Sequence, residues 1–135
     1  MGAVRLVRQL SAVRRGVVAS GAVLVAGSLM SWEVNGTIGG PVGVSGLESG
    51  GLLTLAMGIV AAVAIRHLPV VAVLAGGVAG VVVAKACADI VRAPDHVDNS
   101  HDPALGIVVA GVGALGVLCG GIVEVVRMSR SAAGR

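Results

Sequence analysis

Aromatic side chains are almost absent from this chain of 135 residues, which has no Tyr, no Phe and a single Trp. Proteins that bind single-stranded nucleic acid stack the bases on such rings. The chain has a net charge of +3, but its basic residues are not interleaved with aromatic ones. The sequence therefore lacks the usual signature of nucleic-acid binding. We therefore expect no nucleic-acid partner.

Cysteine and lysine are also scarce. Two cysteines are too few for a disulfide framework, and we expect Cys87 and Cys119 to be small packing residues at different depths. The one lysine, Lys85, is not part of a phosphate-binding loop of the G-x-x-x-x-G-K-[ST] type. No nucleophile motif accompanies the histidines. The sequence predicts a protein that is not an enzyme.

Almost every charged residue lies outside four long apolar stretches. The chain is 56% hydrophobic and has a mean hydropathy of +0.97, and a membrane-crossing helix needs roughly 20 apolar residues. We predict an all-α, polytopic membrane protein built as an antiparallel four-transmembrane-helix bundle. The predicted transmembrane domain covers residues 16–126, with helices at about 16–32, 46–65, 69–88 and 103–126.

The middle of each predicted span has no ionisable residue. Ion-coupled transport and haem ligation by paired histidines need such groups, because a charge in hydrocarbon is costly and is retained for function. Lys85 and Glu124 are expected within one turn of opposite membrane surfaces, where their long side chains reach the head groups. The sequence therefore argues against a transporter, a rotary-ring subunit and a cytochrome anchor.

Most basic residues fall on one side of the predicted bundle and most acidic residues on the other, where Lys85 and Arg92 accompany them. Lys and Arg accumulate in short cytoplasmic segments, so this sorting predicts that both termini are cytoplasmic and two loops are outside. The expected location is the bacterial plasma membrane, as a multi-pass protein in contact with membrane lipid. The basic residues on the predicted inner side are Arg5, Arg8, Arg14, Arg15, Arg66, Arg127, Arg130 and Arg135. The acidic residues on the outer side are Glu33, Glu48, Asp89, Asp95, Asp98 and Asp102.

The two ends of the chain are basic. Residues 1–15 are expected to form an amphipathic cytoplasmic segment on the inner leaflet, or a basic tail, and residues 127–135 a basic cytoplasmic tail. The first span is short and reaches full length only if it begins near Ala12 and includes Trp32. A signal peptide is the alternative for this segment, but no clean cleavage site follows, so we favour an uncleaved helix.

Interface anchors and helix starts support the predicted spans. Trp32 is expected at the outer head-group level, because its ring is apolar and its N–H is polar. Ser45 with Glu48, and Asp102 with Pro103, have the residue types of helix N-termini. The predicted inner-side anchors are Arg14, Arg15, Arg66 and Arg127. Pro69 is expected to open the third helix, and the loop 34–44 to form a short hairpin with its turn at Asn35-Gly36.

Small residues recur along the predicted helices. Helices in lipid associate mainly through close packing, for which small side chains are needed. The predicted packing positions are Gly76, Gly80, Gly113, Gly116, Gly120, Ala22 and Ala26. These are more small positions than a thin bundle needs for its own core, which favours a partner protein. The alternative is the Val, Ala and Gly bias of a GC-rich genome.

One outer loop, residues 95–102, contains the residue types that bind metals. His96, His101 and Asp98 could supply zinc or copper ligands. No cysteine joins them, and the order of residues does not match a calcium-binding loop. A hydrated acidic loop is the alternative, and no cofactor is otherwise predicted.

Short motifs resemble a known class of proteins. Ser31-Trp32-Glu33, the run from Ser45 to Leu55 (S-G-L-E-S-G-G-L-L-T-L) and Leu105-Gly106-Ile107 are similar to segments of small four-helix membrane proteins of actinobacteria. The resemblance covers the architecture of the whole chain. It implies a type of organism more than an activity, although some such proteins are accessory subunits of large envelope or respiratory assemblies.

These observations predict a non-enzymatic accessory subunit of a larger bacterial membrane complex. It would pack through its Gly/Ala-rich helix faces, with an acidic loop outside. Two alternatives stay open. One is a self-assembling pore or holin-like protein, which needs a polar stripe along one helix, whereas polar atoms within the spans are few, Ser28 and Thr54 among them. The other is an outward-facing metal-binding protein that uses His96 and His101.

Overall fold

The computed structural model describes residues 2–37, 40–47, 51–92 and 101–134. Most of these residues are helical, as predicted. The helices are α1 Gly2–Leu29, α2 Leu52–Ala64, α3 Pro69–Arg92 and α4 Leu105–Ala133. A small sheet joins them, with strands β1 Ser31–Thr37, β2 Gly40–Ser45 and β3 His101–Pro103.

Three helical segments are long and apolar enough to cross a membrane. They are Ala12–Leu29 within α1, and the whole of α3 and α4. The fourth helix, α2, has only 13 residues, or about 20 Å at 1.5 Å per residue. The expected second span at 46–65 is therefore a shorter α-helix than predicted.

A π-type turn shortens α2 at its start. The N–H of Gly51 donates to the carbonyl oxygen of Gly46 at 2.6 Å, which is the i→i−5 pattern of a π-turn rather than the i→i−4 pattern of an α-helix. Ser45 accepts from the N–H of Leu47 at 3.2 Å, several residues before α2 begins. The predicted capping of this helix by Ser45 was wrong, and Glu48 lies outside the described residues.

The other predicted helix starts had different outcomes. Pro69 opens α3, as predicted. Pro103 instead ends β3, where it pairs with Glu33, so it does not occupy the first position of α4. The N-cap of α4 is Ala104, without a side-chain cap, and its N–H donates to the carbonyl of Trp32 at 2.8 Å. Asp102 and Pro103, which we expected at the N-terminus of α4, are therefore paired with β1 instead.

The first helix is continuous through the boundary that we predicted at residue 15. It runs for 28 residues and ends at Leu29, so Trp32 lies in β1 and not in the helix. The basic segment 1–15 extends α1 instead of forming a separate element ahead of it.

The strands form an antiparallel sheet in the order β2-β1-β3. The hairpin expected in loop 34–44 is present. However, Asn35 and Gly36 are paired with Val42 and Pro41 inside the ladder, so they are not the turn residues. The connection between β1 and β2 lies outside the described residues. The sheet ties the end of α1 to the start of α4 through β3, which the sequence did not predict.

Each helix packs against two neighbours, α1 and α3 each contacting both α2 and α4. The buried apolar side chains form two clusters. One cluster lies nearer the sheet and includes Trp32, Leu24 and Ile107. The other lies nearer the α2–α3 turn and includes Val17, Ile65 and Val117. The four helices therefore enclose one elongated core with the sheet at one end.

Candidate functional site

The contact between α1 and α4 is built on glycines spaced seven residues apart. Gly106, Gly113 and Gly120 face Ser31, Leu24 and Val17, which are also seven residues apart. Leu24 and Val17 lie in α1, and Ser31 follows it at the start of β1. A seven-residue repeat keeps one face of each helix on its partner over several turns. A Cβ atom on Gly113 would lie 2.5 Å from the backbone nitrogen of Leu24. The two backbones therefore approach closely around Gly113, and further along the antiparallel pair Gly120 gives room to the side chain of Val17.

The other predicted packing residues divide into two groups. Gly116 faces Ser20 of α1, and Gly76 faces α4, where a Cβ would lie 2.8 Å from the Leu118 nitrogen. Ala22 and Ala26 are exposed. Around Gly80, a Cβ would meet no described atom within 4 Å, and the same holds for its neighbour Gly77. The structure brings the glycines of α4 into the bundle and leaves part of α3 open.

At one end of the α1–α4 contact lies an ion pair. The Nε of Arg14 donates to Oε1 of Glu124 at 2.9 Å. The Glu124 side chain is fully buried, whereas that of Arg14 is 40% exposed. The second carboxylate oxygen, Oε2, has no hydrogen-bond partner among the described residues. We expected the Glu124 side chain to extend to the head groups. It is instead buried between α1 and α4.

The register of the α1–α4 contact accounts for this pair, which our prediction did not include. Continuing the antiparallel pairing of Val17 with Gly120 by about one helical turn brings Arg14 opposite Glu124. The heptad spacing of the α4 glycines was visible in the sequence, but its register against α1 was not. We predicted Arg14 only as an interface anchor, and its ion pair with Glu124 was not predicted.

At the opposite end of the bundle, two hydroxyl groups link α1 to α2. Ser28 Oγ lies 2.7 Å from Thr54 Oγ1, and both side chains are fully buried. Ser28 Oγ is also 2.8 Å from the Leu24 carbonyl, and Thr54 Oγ1 is 2.9 Å from that of Gly51. Two hydroxyl protons serve three contacts, so one of the backbone carbonyls receives no proton from this cluster. The polar atoms considered for a pore are used inside the bundle.

The Trp32 ring is fully buried in the cluster nearer the sheet. Its Nε1–H donates to the Gly27 carbonyl at 2.9 Å. A Cβ on Gly46 would lie 2.5 Å from Nε1, so the glycine backbone lies directly against the ring. The ring is therefore packed inside the bundle at the sheet end, with its N–H satisfied by a backbone carbonyl. Its expected position at the head-group level stays a prediction.

The remaining predicted anchors lie at the end of the bundle away from the sheet. Arg15 and Arg66 are exposed, and Arg127 is half-buried. Near the sheet, Lys85 forms an exposed i,i+4 ion pair with Asp89 on α3. This pair neutralises both charges on the outward surface of α3.

Two open grooves run along the surface of the bundle. The α1–α4 groove has a volume of about 300 Å³ and is lined by residues of segments 13–20 and 116–123, among them Val13, Gly16, Ser20, Cys119 and Val123. The α3 groove has a volume of about 510 Å³ and is almost wholly apolar; its lining includes Val73, Leu74, Gly77, Val81 and Leu118.

The proposed metal ligands fall largely outside what the structure describes. His96 and Asp98 lie outside the described residues, and His101 contributes its backbone to β3 while its side chain is not described. Within the described ranges, no group of three or more His, Cys, Asp or Glu side chains is close enough to hold a metal ion. The metal hypothesis stays a prediction.

Comparison with known protein families, with curated proteins and with solved structures gives no significant match. The resemblance to small actinobacterial membrane proteins therefore also stays a prediction.

Proposed function

We propose that this protein is a non-enzymatic subunit of a larger membrane complex in a bacterial plasma membrane. In this proposal, all four helices cross the membrane and both termini are cytoplasmic. Three segments have the length and apolarity for a crossing. The short α2 is antiparallel to α1, since Gly58 faces Gly21 and Thr54 bonds to Ser28 near opposite ends of the contact. On this basis we propose that α2 also crosses the membrane, antiparallel to α1.

The observation that carries the proposal is the unused glycine surface of α3. A glycine inside a helix costs about 1 kcal/mol relative to alanine. For the glycines of α4, close contact with α1 offsets this cost. Gly77 and Gly80 have no such contact, because a Cβ at either position meets open space. Lipid does not require a glycine, whereas close approach by another helix does.

The α3 groove gives this surface the shape that a partner helix needs. Gly77 lines it together with Val73, Leu74 and Val81, and the exposed ion pair of Lys85 and Asp89 lies further along α3 toward the sheet. Val81 and Lys85, and likewise Lys85 and Asp89, are four residues apart, so these residues share one face of the helix. We infer that a transmembrane helix of a larger protein occupies this face, with polar groups near Lys85.

Purification from native membranes in a mild detergent tests this proposal. The wild-type chain is compared with Gly77→Leu, which fills the α3 groove, and with Ala19→Leu, which enlarges an exposed side chain on α1 outside both grooves. We expect one large membrane protein in fixed stoichiometry with wild type and Ala19→Leu, and its loss with Gly77→Leu. Recovery of the chain alone, as a monomer or as a ring-sized oligomer, would contradict the proposal.

A further inference from the structure

The inner end of the α1–α4 contact combines an apolar groove with a cluster of arginines. The α1–α4 groove runs over eight residues on each helix, and its first and last residues are about 10 Å apart at 1.5 Å rise per residue. The hydrocarbon of one leaflet is roughly 15 Å thick, half of the bilayer core. The groove begins beside Arg14 and is therefore long enough to follow an acyl chain through most of one leaflet.

The arginines at the mouth of the groove belong to both helices. On α1, Arg14 follows the groove residue Val13 directly, and Arg15 is exposed beside it. On α4, Arg127 is half-buried and lies one helical turn beyond the groove residue Val123, on the same face. The single carboxylate here, Glu124, is fully buried behind Arg14. The mouth is thus net positive, and its charge faces outward.

The ion pair fixes how Arg14 is presented. Its Nε–H is the donor to Glu124, and a guanidinium has five N–H donors, so four hydrogens on the two Nη atoms remain for other acceptors. Arginine held in this way binds phosphate oxygens with two parallel hydrogen bonds. Basic pockets between transmembrane helices on the cytoplasmic side bind anionic lipid head groups by the same chemistry.

We propose that the α1–α4 groove is a binding site for an anionic glycerophospholipid of the inner leaflet. One acyl chain lies in the groove along Gly16 and Cys119, and the phosphate is bound by Arg14 and Arg127. Gly16 leaves room for the chain, since a Cβ there would meet no described atom within 4 Å. The inference rests on the topology given under the proposed function but not on the identity of a protein partner.

Native mass spectrometry of the purified chain tests this site directly. The protein is exchanged from detergent into micelles that contain phosphatidylcholine alone, or phosphatidylcholine with phosphatidylglycerol, and retained lipid is identified by mass. We expect one phosphatidylglycerol per chain. Arg127→Gln should lower its retention roughly fivefold, and Gly16→Leu should reduce it to the phosphatidylcholine background. Both variants leave the Arg14–Glu124 pair intact, so folding is not at risk.

Two matched controls separate the site from general charge and size effects. Arg66→Gln removes the same charge at the same end of the bundle, from the exposed α2–α3 turn, and should retain lipid as wild type does. Gly80→Leu makes the glycine-to-leucine change on α3 and should also retain lipid. Equal loss in Arg66→Gln, or full retention in Gly16→Leu, would overturn the proposal.

Excess inorganic phosphate distinguishes a lipid site from a simple anion site. If the acyl chain contributes, phosphate leaves the bound lipid in place. Complete displacement by phosphate, or a second protein chain in place of lipid, would overturn the proposal. Because the experiment uses the purified chain without partners, its failure would leave the subunit proposal standing, and loss of the partner in the pull-down would leave the lipid site standing.

Discussion

At the scale of single residues, Glu124 is the side chain whose environment differs most from what its chemistry prefers. It is fully buried, it has one ionic partner, and its Oε2 has none among the described residues. The environment of Arg14 is different, because its side chain is 40% exposed and can be hydrated in the absence of Glu124. The two partners should therefore respond differently to mutation.

Arg14→Gln should destabilise the protein by about 3–5 kcal/mol, since it leaves a buried carboxylate without its countercharge. Glu124→Gln should cost less, because the freed arginine reaches water or lipid head groups. Unfolding of the purified protein in SDS-containing mixed micelles measures both free energies. The double variant Arg14→Gln/Glu124→Gln should resemble Glu124→Gln alone. A larger loss in Glu124→Gln than in Arg14→Gln would contradict this account of the pair.

At the scale of elements, glycines within the close contact of α1 and α4 differ from glycines that lie outside it. Gly113 lies against the backbone of Leu24, whereas Gly80 faces open space. A methyl group added at the first position has no room unless the helices move apart. At the second position it removes the conformational cost of glycine and meets nothing in the monomer.

Gly113→Ala should therefore destabilise the bundle by about 2 kcal/mol or more, through lost packing between α1 and α4. Gly80→Ala should be neutral or stabilising by up to about 1 kcal/mol. The same SDS unfolding measurement compares the two variants, and each serves as the other's control. Equal effects of the two substitutions would show that the helices do not pack as described.

Local signals in the sequence predicted the helices but not how their ends are joined. Hydropathy predicted the apolar segments, and Pro69 marked the start of α3. The third strand was beyond such reasoning, because the pairing of Glu33 with Pro103 joins segments that are distant in the chain. That pairing places Pro103 in β3, so the helix start predicted at Asp102-Pro103 from local residue preference was wrong.

The candidate sites likewise contain residues that could be predicted from the local sequence and residues whose roles depend on contacts between helices. The glycines of α4 could be predicted as packing residues, because small residues at heptad spacing are visible in the sequence. The burial of Glu124 and the open surface of Gly80 depend on which face of each helix meets its neighbour. That information lies in the register between helices, which no local pattern contains.

At the scale of the whole molecule, both proposals depend on how the bundle lies in the membrane. The α3 face is available to a partner helix only if α3 crosses the bilayer, and the arginines at the groove mouth meet anionic head groups only if the ends of α1 and α4 face the cytoplasm. The shortness of α2 makes it the decisive element, because the sides of all later segments depend on whether α2 crosses.

Side-specific cysteine labelling tests this arrangement most directly. Single-cysteine variants Leu47→Cys, Arg66→Cys and Arg130→Cys are made in a background without Cys87 and Cys119, and each lies at an exposed position. A membrane-impermeant thiol reagent is then added to intact cells. The account predicts labelling of Leu47→Cys from outside, and labelling of the other two only after the cells are opened. Labelling of Leu47→Cys and Arg66→Cys from the same side would mean that α2 does not cross, and would contradict the four-helix membrane arrangement.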